Sequence, residues 1–500
     1  MIESIKNSLA ANNWQIPFAN EFMLIILLIT AFIFFSNNPL KHPRKYQIRN
    51  FINWFPMGLT YAFLYMARYN LTVSKNALSD LMSKESFGII FGVGAWIYAL
   101  SFLINGPLVD KIGGKRGMLI GAGGAALSNI FMGILTYLVV AQGVSLNITL
   151  WFSIFYGLNM YFQSYGAVSI VKVNAPWFHV RERGVFSGIF GTLISLGLYF
   201  SYDWGQSIVN ATSVKTSGHL GFFESMLHNI LNVGASPVNL TWFVFFIPAM
   251  ILIFFVILEY FILKDNPGEA GFPNFDTEDA SSGEMDVKFT AWELIKKILT
   301  NPIILTIAFI EFCSGVLRNG IMHWYLIYTN EIAKMFGAGG STLFFKNNWG
   351  FLNAVAGISS AYLAGYISDK FFQSRRGPSA AFMYGAMIIL IIIMALVISS
   401  APLALGITVV SILLCVIGVH GLLSGTATMD FGGRKGAATA VGVIDGFVYL
   451  GTGVQSISLG YLVTKNWSYW PLFLLPFAIL GFVLCLRIWK ALPQSKRKAH

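Results

Sequence analysis

Apolar stretches separated by short polar turns run along almost the whole chain. A helix needs about 20 apolar residues to cross the hydrocarbon core of a bilayer, so each stretch of that length reads as a spanning helix. The pattern predicts spans at 51–75, 86–109, 117–141, 147–172, 185–207 and 240–263, then at 302–328, 347–368, 378–400, 404–429, 437–462 and 470–489. A further apolar run at 21–36 precedes them. Its leader, "MIESIKNSLAANNWQIPFAN", is long and barely basic, and no small-residue cleavage site follows. It is therefore expected to remain as an extra span, the alternatives being an interfacial segment or one removed as a signal.

Composition agrees with the pattern. Of 500 residues 56% are hydrophobic and 11% charged, against about a quarter charged in a soluble domain. The net charge of +11 could suggest a nucleic-acid partner, but the basic residues cluster in short loops beside the spans: Lys41 to Arg49, Lys111 to Arg116, Arg181 to Arg183, Arg375 to Arg376, Arg434 to Lys435 and Lys496 to Lys498. With twelve alternating spans all of these fall on one side, which is the cytoplasmic side by the positive-inside rule. The expected organisation is an extension with the extra helix (1–49), a six-helix bundle (50–264), a cytoplasmic linker (265–300), a second six-helix bundle (301–490) and a basic tail (491–500). Within the linker, "TAWELIKKIL" reads as a short surface helix. The three cysteines lie in apolar segments without CxxC or Cys/His spacing, so no disulfide, metal site or cofactor is expected.

The two bundles repeat one another. "GPLVDKIGGKR" (106–116) is echoed by "GYISDKFFQSRR" (365–376), and "RERGVFSGIFG" (181–191) by "GRKGAATAVG" (433–442). The offsets are 259 residues from Asp110 to Asp369 and 252 from Gly184 to Gly436. A repeated six-helix unit points to a secondary transporter with its site between the repeats near the midplane.

Charges inside spans are costly and mark candidate sites. In "YAFLYMARYN" (61–70), Tyr61, Tyr65 and Arg68 stand at i, i+4 and i+7, on one helical face. The repeat supplies a counterpart 250 residues later, Arg318 in "GVLRNGIMHW". Two guanidinium groups facing a common cavity would favour a dianion such as phosphate, which accepts bidentate hydrogen bonds. The competing reading is a structural ion pair with Glu311 or Asp445. Asp445 could also carry a proton or fix a gate. Asp203 is expected at the outer mouth. His323 and His420 could titrate during transport, or serve packing. Tyr98, Asn105, Asn159, Gln163, Asn353, Tyr449 and Gln455 could line a pocket, with helix packing as the alternative. Gly88 and Gly92 form a GxxxG pair suited to close helix contact. Asp110, Arg116, Asp369 and Arg376 are assigned to inter-helix ion pairs that stabilise one end state.

The loops of the form Gxxx(D)(K/R)xGxx(R) resemble a hallmark of the major facilitator superfamily. "YAFLYMARYN", "FQSYGAVSIVKVNAPWFHVRERG", "LRNGIMHW", "GISSAYLAGYISDKFFQSRRG" and "RKGAATAVGVIDGFVYLG" resemble the organophosphate:phosphate antiporters, over roughly residues 55 to 490. That resemblance implies an all-α major facilitator fold with two pseudo-symmetric six-helix bundles, here with the extra amino-terminal helix. It also implies a phosphate grip at Arg68 and Arg318, with Tyr61 and Tyr65 on the first helix and Lys172 as the basic residue of the fourth. Tyr98 and Trp324 join the expected substrate-binding set, and Asp445, His323 and Glu311 the expected coupling or charge-compensating set. The chain departs from the glycerol-3-phosphate pattern at Phe102, at Ile194 and at His323, where a lysine, a histidine and an aspartate are expected.

The expected activity is exchange of a phosphorylated metabolite, glycerol 3-phosphate or a sugar phosphate, for inorganic phosphate by alternating access. The protein is expected to act as a monomer in a bacterial plasma membrane, with membrane lipid around it. The alternatives are a proton-coupled organic-anion symporter and a membrane sensor of sugar phosphates. Enzymatic activity is not expected, since no nucleophile, base and orienter constellation is present.

Overall fold

The computed structural model describes residues 14–215, 220–275, 296, 300–336, 340–372, 375–427 and 437–490. The segment "TAWELIKKIL" apart from Lys296, most of the linker, the start of "GRKGAATAVG" and the basic tail lie outside the described residues. Among the described residues the structure is helical and contains no strand. The extra run forms α1 (Ala19–Ser36). The first repeat supplies α2 (Arg44–Leu78), α3 (Lys84–Ile112), α4 (Gly114–Val140), α5 (Ile148–Asn174), α6 (Val180–Tyr199), α7 (Gly205–Thr212), α8 (Phe222–Ile230) and α9 (Phe243–Ile262). The second supplies α10 (Pro302–Met322), α11 (Trp324–Phe336), α12 (Gly340–Asn347), α13 (Trp349–Phe372), α14 (Arg376–Val397), α15 (Pro402–His420), α16 (Ala437–Lys465) and α17 (Tyr469–Arg487).

Local chemistry sets several of the boundaries. Ser83 and Asn147 cap α3 and α5 by accepting from the backbone N–H of Ser86 and Leu150, which satisfies donors that the first helical turn leaves open. Asn301 does the same for α10, with Pro302 at the first helical position. Gly113, at φ +91°, breaks α3 from α4 with a conformation that only glycine adopts cheaply. Nine helices among the described residues are long and apolar enough to span a membrane. The chain is a multi-pass integral membrane protein. The long helices α2, α5 and α16 fall outside that set, and these carry Arg68, Lys172 and Asp445.

Two compact units emerge, and they do not follow the sequence repeats. The first comprises the described residues within Met1–Ile90, Leu108–Thr277 and Leu326–Ala354, the second those within Phe91–Pro107, Glu278–Tyr325 and Val355–His500. In the first, Gly114, Gly117, Gly121 and Gly124 form a small-residue stripe along α4 that admits Val173, Ser169, Gly166 and Phe162 of α5. Lipid is as apolar as a leucine side chain, so close packing of this kind, more than hydrophobic burial, holds membrane helices together. α1 is fixed to the same unit at its amino-terminal end. Asn20 Oδ1 accepts from Tyr199 OH at 2.8 Å and from Trp204 Nε1 at 3.1 Å. Asn348 bonds the backbone of both Trp14 and Ile16, at 2.7 Å each.

The second unit is built around α10 and α16, which meet at glycines. A Cβ on Gly315 would collide with the Val448 carbonyl, and one on Gly451 with the Phe312 carbonyl. The central part of α3 joins this unit because Gly92 lets it approach α16: a Cβ there would lie 3.0 Å from Gly453 O. Trp96 Nε1 seals that contact by donating to Leu450 O at 3.2 Å.

Candidate functional site

Arg68 is completely buried in the middle of α2. Gln163 of α5 accepts its Nε–H at 2.7 Å, and the guanidinium carbon lies 4.9 Å and 5.9 Å from the ring centres of Tyr65 and Tyr69. A neutral amide and aromatic faces orient a cation without cancelling its charge. Tyr61 is edge-on to Tyr65, with centroids 5.5 Å apart, and packs on Phe190. The i, i+4, i+7 spacing therefore does place Tyr61, Tyr65 and Arg68 together.

Behind Gln163 lies a chain of buried amides. Gln163 Nε2 donates to Asn159 Oδ1 at 3.1 Å, and the Nδ2 groups of Asn159 and Asn129 both donate to Ala67 O at 3.0 Å. Asn70 Nδ2 donates to Asn129 Oδ1 at 2.7 Å. The sequence marks Asn159 and Gln163 as candidate pocket residues; in the structure they brace α2 against α4 and α5, one residue from Arg68. Asn70 and Asn129 are not singled out by the sequence reading. Their signal is nevertheless present, since an amide inside an apolar span needs a partner, and several amides on different spans can provide it to each other.

Arg318 lies half-buried on α10 in the second unit. The next residue, Asn319, donates to Thr452 Oγ1 at 2.8 Å and meets His323 Nε2 at 3.2 Å, and Phe91 packs on the imidazole at 4.3 Å. His323 is thus held within the packing around α10. Trp324 is fully buried, 6.4 Å from Trp467. Tyr98 is also buried, on Tyr449 at 4.4 Å and Phe102 at 4.7 Å, in the second unit. Glu311 takes His420 as its partner, at 2.8 Å. Asp445 accepts from Ser424 Oγ at 2.5 Å.

Among the loop residues, Asp110 pairs with Lys172 at 2.7 Å, and both side chains are substantially exposed. Arg116 is exposed at the start of α4. Arg376 donates to Ser368 Oγ at 3.0 Å; the Asp369 side chain lies outside the described set. Asp265 accepts from the Lys115 backbone N–H at 2.6 Å, at the amino terminus of α4. Burial, opposed by that hydrogen bond and reinforced by the charge of Glu269, holds its carboxyl above the usual aspartate range. Asp203 does not simply face outer solvent: its two oxygens accept from the backbone N–H groups of Gly350 and Phe351 at 2.7 Å and 2.9 Å, capping α13. A buried acid escapes the sequence reading altogether. Glu259, in "FFVILEYFILK", accepts from Thr60 Oγ1 at 2.5 Å.

Comparison with known proteins adds to this geometry. The Major Facilitator Superfamily model matches residues 57–456. The glycerol-3-phosphate transporter of Bacillus subtilis is 26% identical over 468 residues, covering 91% of this chain and 95% of its own. A probable hexose phosphate transport protein of Chlamydia trachomatis is 24% identical, covering 92% and 96%. The membrane sensor protein UhpC of Escherichia coli is 22% identical, covering 82% and 85%. Among solved structures, a bacterial homologue of the human lysosomal transporter Spinster, inward-facing and unoccupied, has a TM-score of 0.63 at 14% identity, covering 90% of this chain and 98% of its own. That likeness concerns the fold.

Proposed function

The chain belongs to the Major Facilitator Superfamily, and from that premise we propose that it carries a phosphorylated organic metabolite, glycerol 3-phosphate or a sugar phosphate, across the plasma membrane in exchange for inorganic phosphate. The observation that carries this reading is Arg68, a buried arginine in mid-helix whose guanidinium is oriented by the Gln163 amide and by tyrosine rings. Relatives described as glycerol-3-phosphate and hexose phosphate transporters support the substrate class.

Arg68 and its repeat counterpart Arg318 are the phosphate grip in this reading, because a guanidinium offers two parallel N–H donors to one phosphate. Tyr61 and Tyr65 orient the remainder of the ligand. Reorientation of an empty carrier takes the arginine pair through a low-dielectric environment with no anion beside it, which is costly. A bound dianion removes that cost, so alternating access runs loaded in both directions and the outcome is exchange. A single chain suffices for this cycle.

The test is uptake of labelled phosphate into liposomes holding the purified protein, with phosphate or glycerol 3-phosphate inside and with neither. Exchange predicts uptake only into loaded vesicles, and equal uptake into empty ones would overturn it. The likeness to the sensor UhpC supports a second reading, ligand binding without turnover. The same assay separates the two, since a sensor binds labelled substrate but accumulates none.

A further inference from the structure

A carboxylate and an imidazole meet inside the second unit. Glu311 is fully buried and His420 about a quarter exposed, with Oε2 and Nδ1 2.8 Å apart. Glu311 Oε1 is also buried, and it has no hydrogen-bond partner among the described residues. Glu311 stands seven residues before Arg318, two turns away on the same face of α10. Asp445, on α16, is within electrostatic range of Glu311, His420 and Arg318.

A buried carboxylate with one oxygen unsatisfied is expensive in its charged form. Sharing a proton with an imidazole relieves that cost, and a pair of this type changes net charge when it gains or loses one proton. The exposed edge of His420 gives the proton a route that Glu311 itself lacks.

We propose that Glu311 and His420 form a proton-binding site that tunes anion transport through Arg318. The proton enters at the imidazole, is held at the Nδ1···Oε2 contact and leaves by the same ring, with no other bond made or broken. When the pair is deprotonated it adds a negative charge near Arg318 and opposes the anion. Protonation withdraws that charge, so acid favours loading. The neighbouring groups are Asp445 and its partner Ser424, Tyr384 of α14, Cys485 of α17, and Cys313 and Arg318 of α10 itself. Thiols and phenols ordinarily remain neutral near pH 7, which leaves Asp445 and Arg318 as the charges the pair works against. The proposal rests on the reading of Arg318 as an anion grip.

The experiment is phosphate self-exchange in liposomes with equal pH on both sides, from pH 6 to 8, on wild type, Glu311→Gln and His420→Gln, with melting temperatures measured for each. Phosphate titrates in this range, so the readout is the wild-type profile divided by that of each variant. The expected ratio rises toward acid pH, with a limit of about tenfold per pH unit for one titrating group. A flat ratio in either folded variant overturns the proposal while leaving exchange intact. If neither variant folds, the wild-type profile decides: one fully accounted for by the titration of phosphate overturns it too. Absence of exchange at every pH, with phosphate and with glycerol 3-phosphate, would instead defeat the transport reading.

Discussion

Gln163 Oε1 accepts the Nε–H of Arg68 at 2.7 Å, so one side chain on α5 fixes the edge of the guanidinium and thereby the direction of its fork. Replacing Gln163 by Leu leaves a buried donor without that acceptor, a loss of about 1–3 kcal/mol. The expected result is a KM for phosphate raised about tenfold or more, since 1.4 kcal/mol corresponds to tenfold. Gln163→Glu should be worse for transport although it keeps the hydrogen bond, because a carboxylate there cancels the charge that phosphate needs. Counterflow KM on both variants checks the order, and a Gln163→Glu protein that exchanges phosphate like wild type would contradict the role given to Arg68.

Arg68→Lys and Arg318→Lys separate charge from geometry. Lysine keeps the positive charge but presents a point ammonium in place of a planar fork. Each variant is expected to fold and to lose at least about tenfold in phosphate affinity, the scale of one charge-assisted hydrogen bond. Full exchange in both, measured with labelled phosphate, would remove the bidentate grip.

Both predictions turn on arginines that could be read from residue spacing and from the repeat. Tyr61, Tyr65 and Arg68 share a face because 3.6 residues make a turn, and that much follows from the sequence. The helical spans were legible for a related reason: the bilayer demands a length of apolar helix, and the chain displays it. Gln163, Asn129 and Asn70 were harder, because their contacts cross from α5 and α4 to α2 and depend on rotation about each helix axis. The surroundings of Tyr98 were hard to read for the same reason. The sequence leaves it open between pocket lining and helix packing, and the structure sets its ring 4.4 Å from that of Tyr449. Glu311 invited pairing with Arg318 on its own helix, whereas the partner it takes, His420, comes from α15.

Gly315 controls where Arg318 stands. A Cβ at this position would overlap the Val448 carbonyl, so Gly315→Ala must push α10 away from α16. Overpacking of this kind costs about 1–3 kcal/mol. The variant should melt at a lower temperature and transport poorly. Gly123→Ala is the control, since a Cβ there meets nothing within 4 Å. Equal melting temperatures for the two variants would contradict the contact.

The extra helix α1 should matter for stability more than for transport. Asn348→Ala deletes the bonds to the backbone of Trp14 and Ile16, and Asn20→Ala deletes those from Tyr199 and Trp204. At about 0.5–1.5 kcal/mol per bond, each variant should lower the melting temperature measurably while exchange at 25 °C persists. A loss of exchange in a variant that melts like wild type would assign α1 a part in the transport cycle.

Asp265 gives a pH dependence whose sign can be worked out. Burial is the main cause that holds its carboxyl above the ordinary aspartate value, so the folded protein binds this proton more tightly than the unfolded chain does. The contribution is then fully present below the unfolded pKa of about 4 and is lost as pH rises through the raised folded value. An asparagine side chain in its place would keep an oxygen to accept from the Lys115 N–H but carry no charge. Asp265→Asn should therefore differ least from wild type in acid and gain melting temperature relative to it toward neutral pH. Melting curves from pH 4 to 7 test this, and a variant that instead loses ground to wild type as pH rises would mean that the ionised carboxylate stabilises the amino terminus of α4 by more than its burial costs.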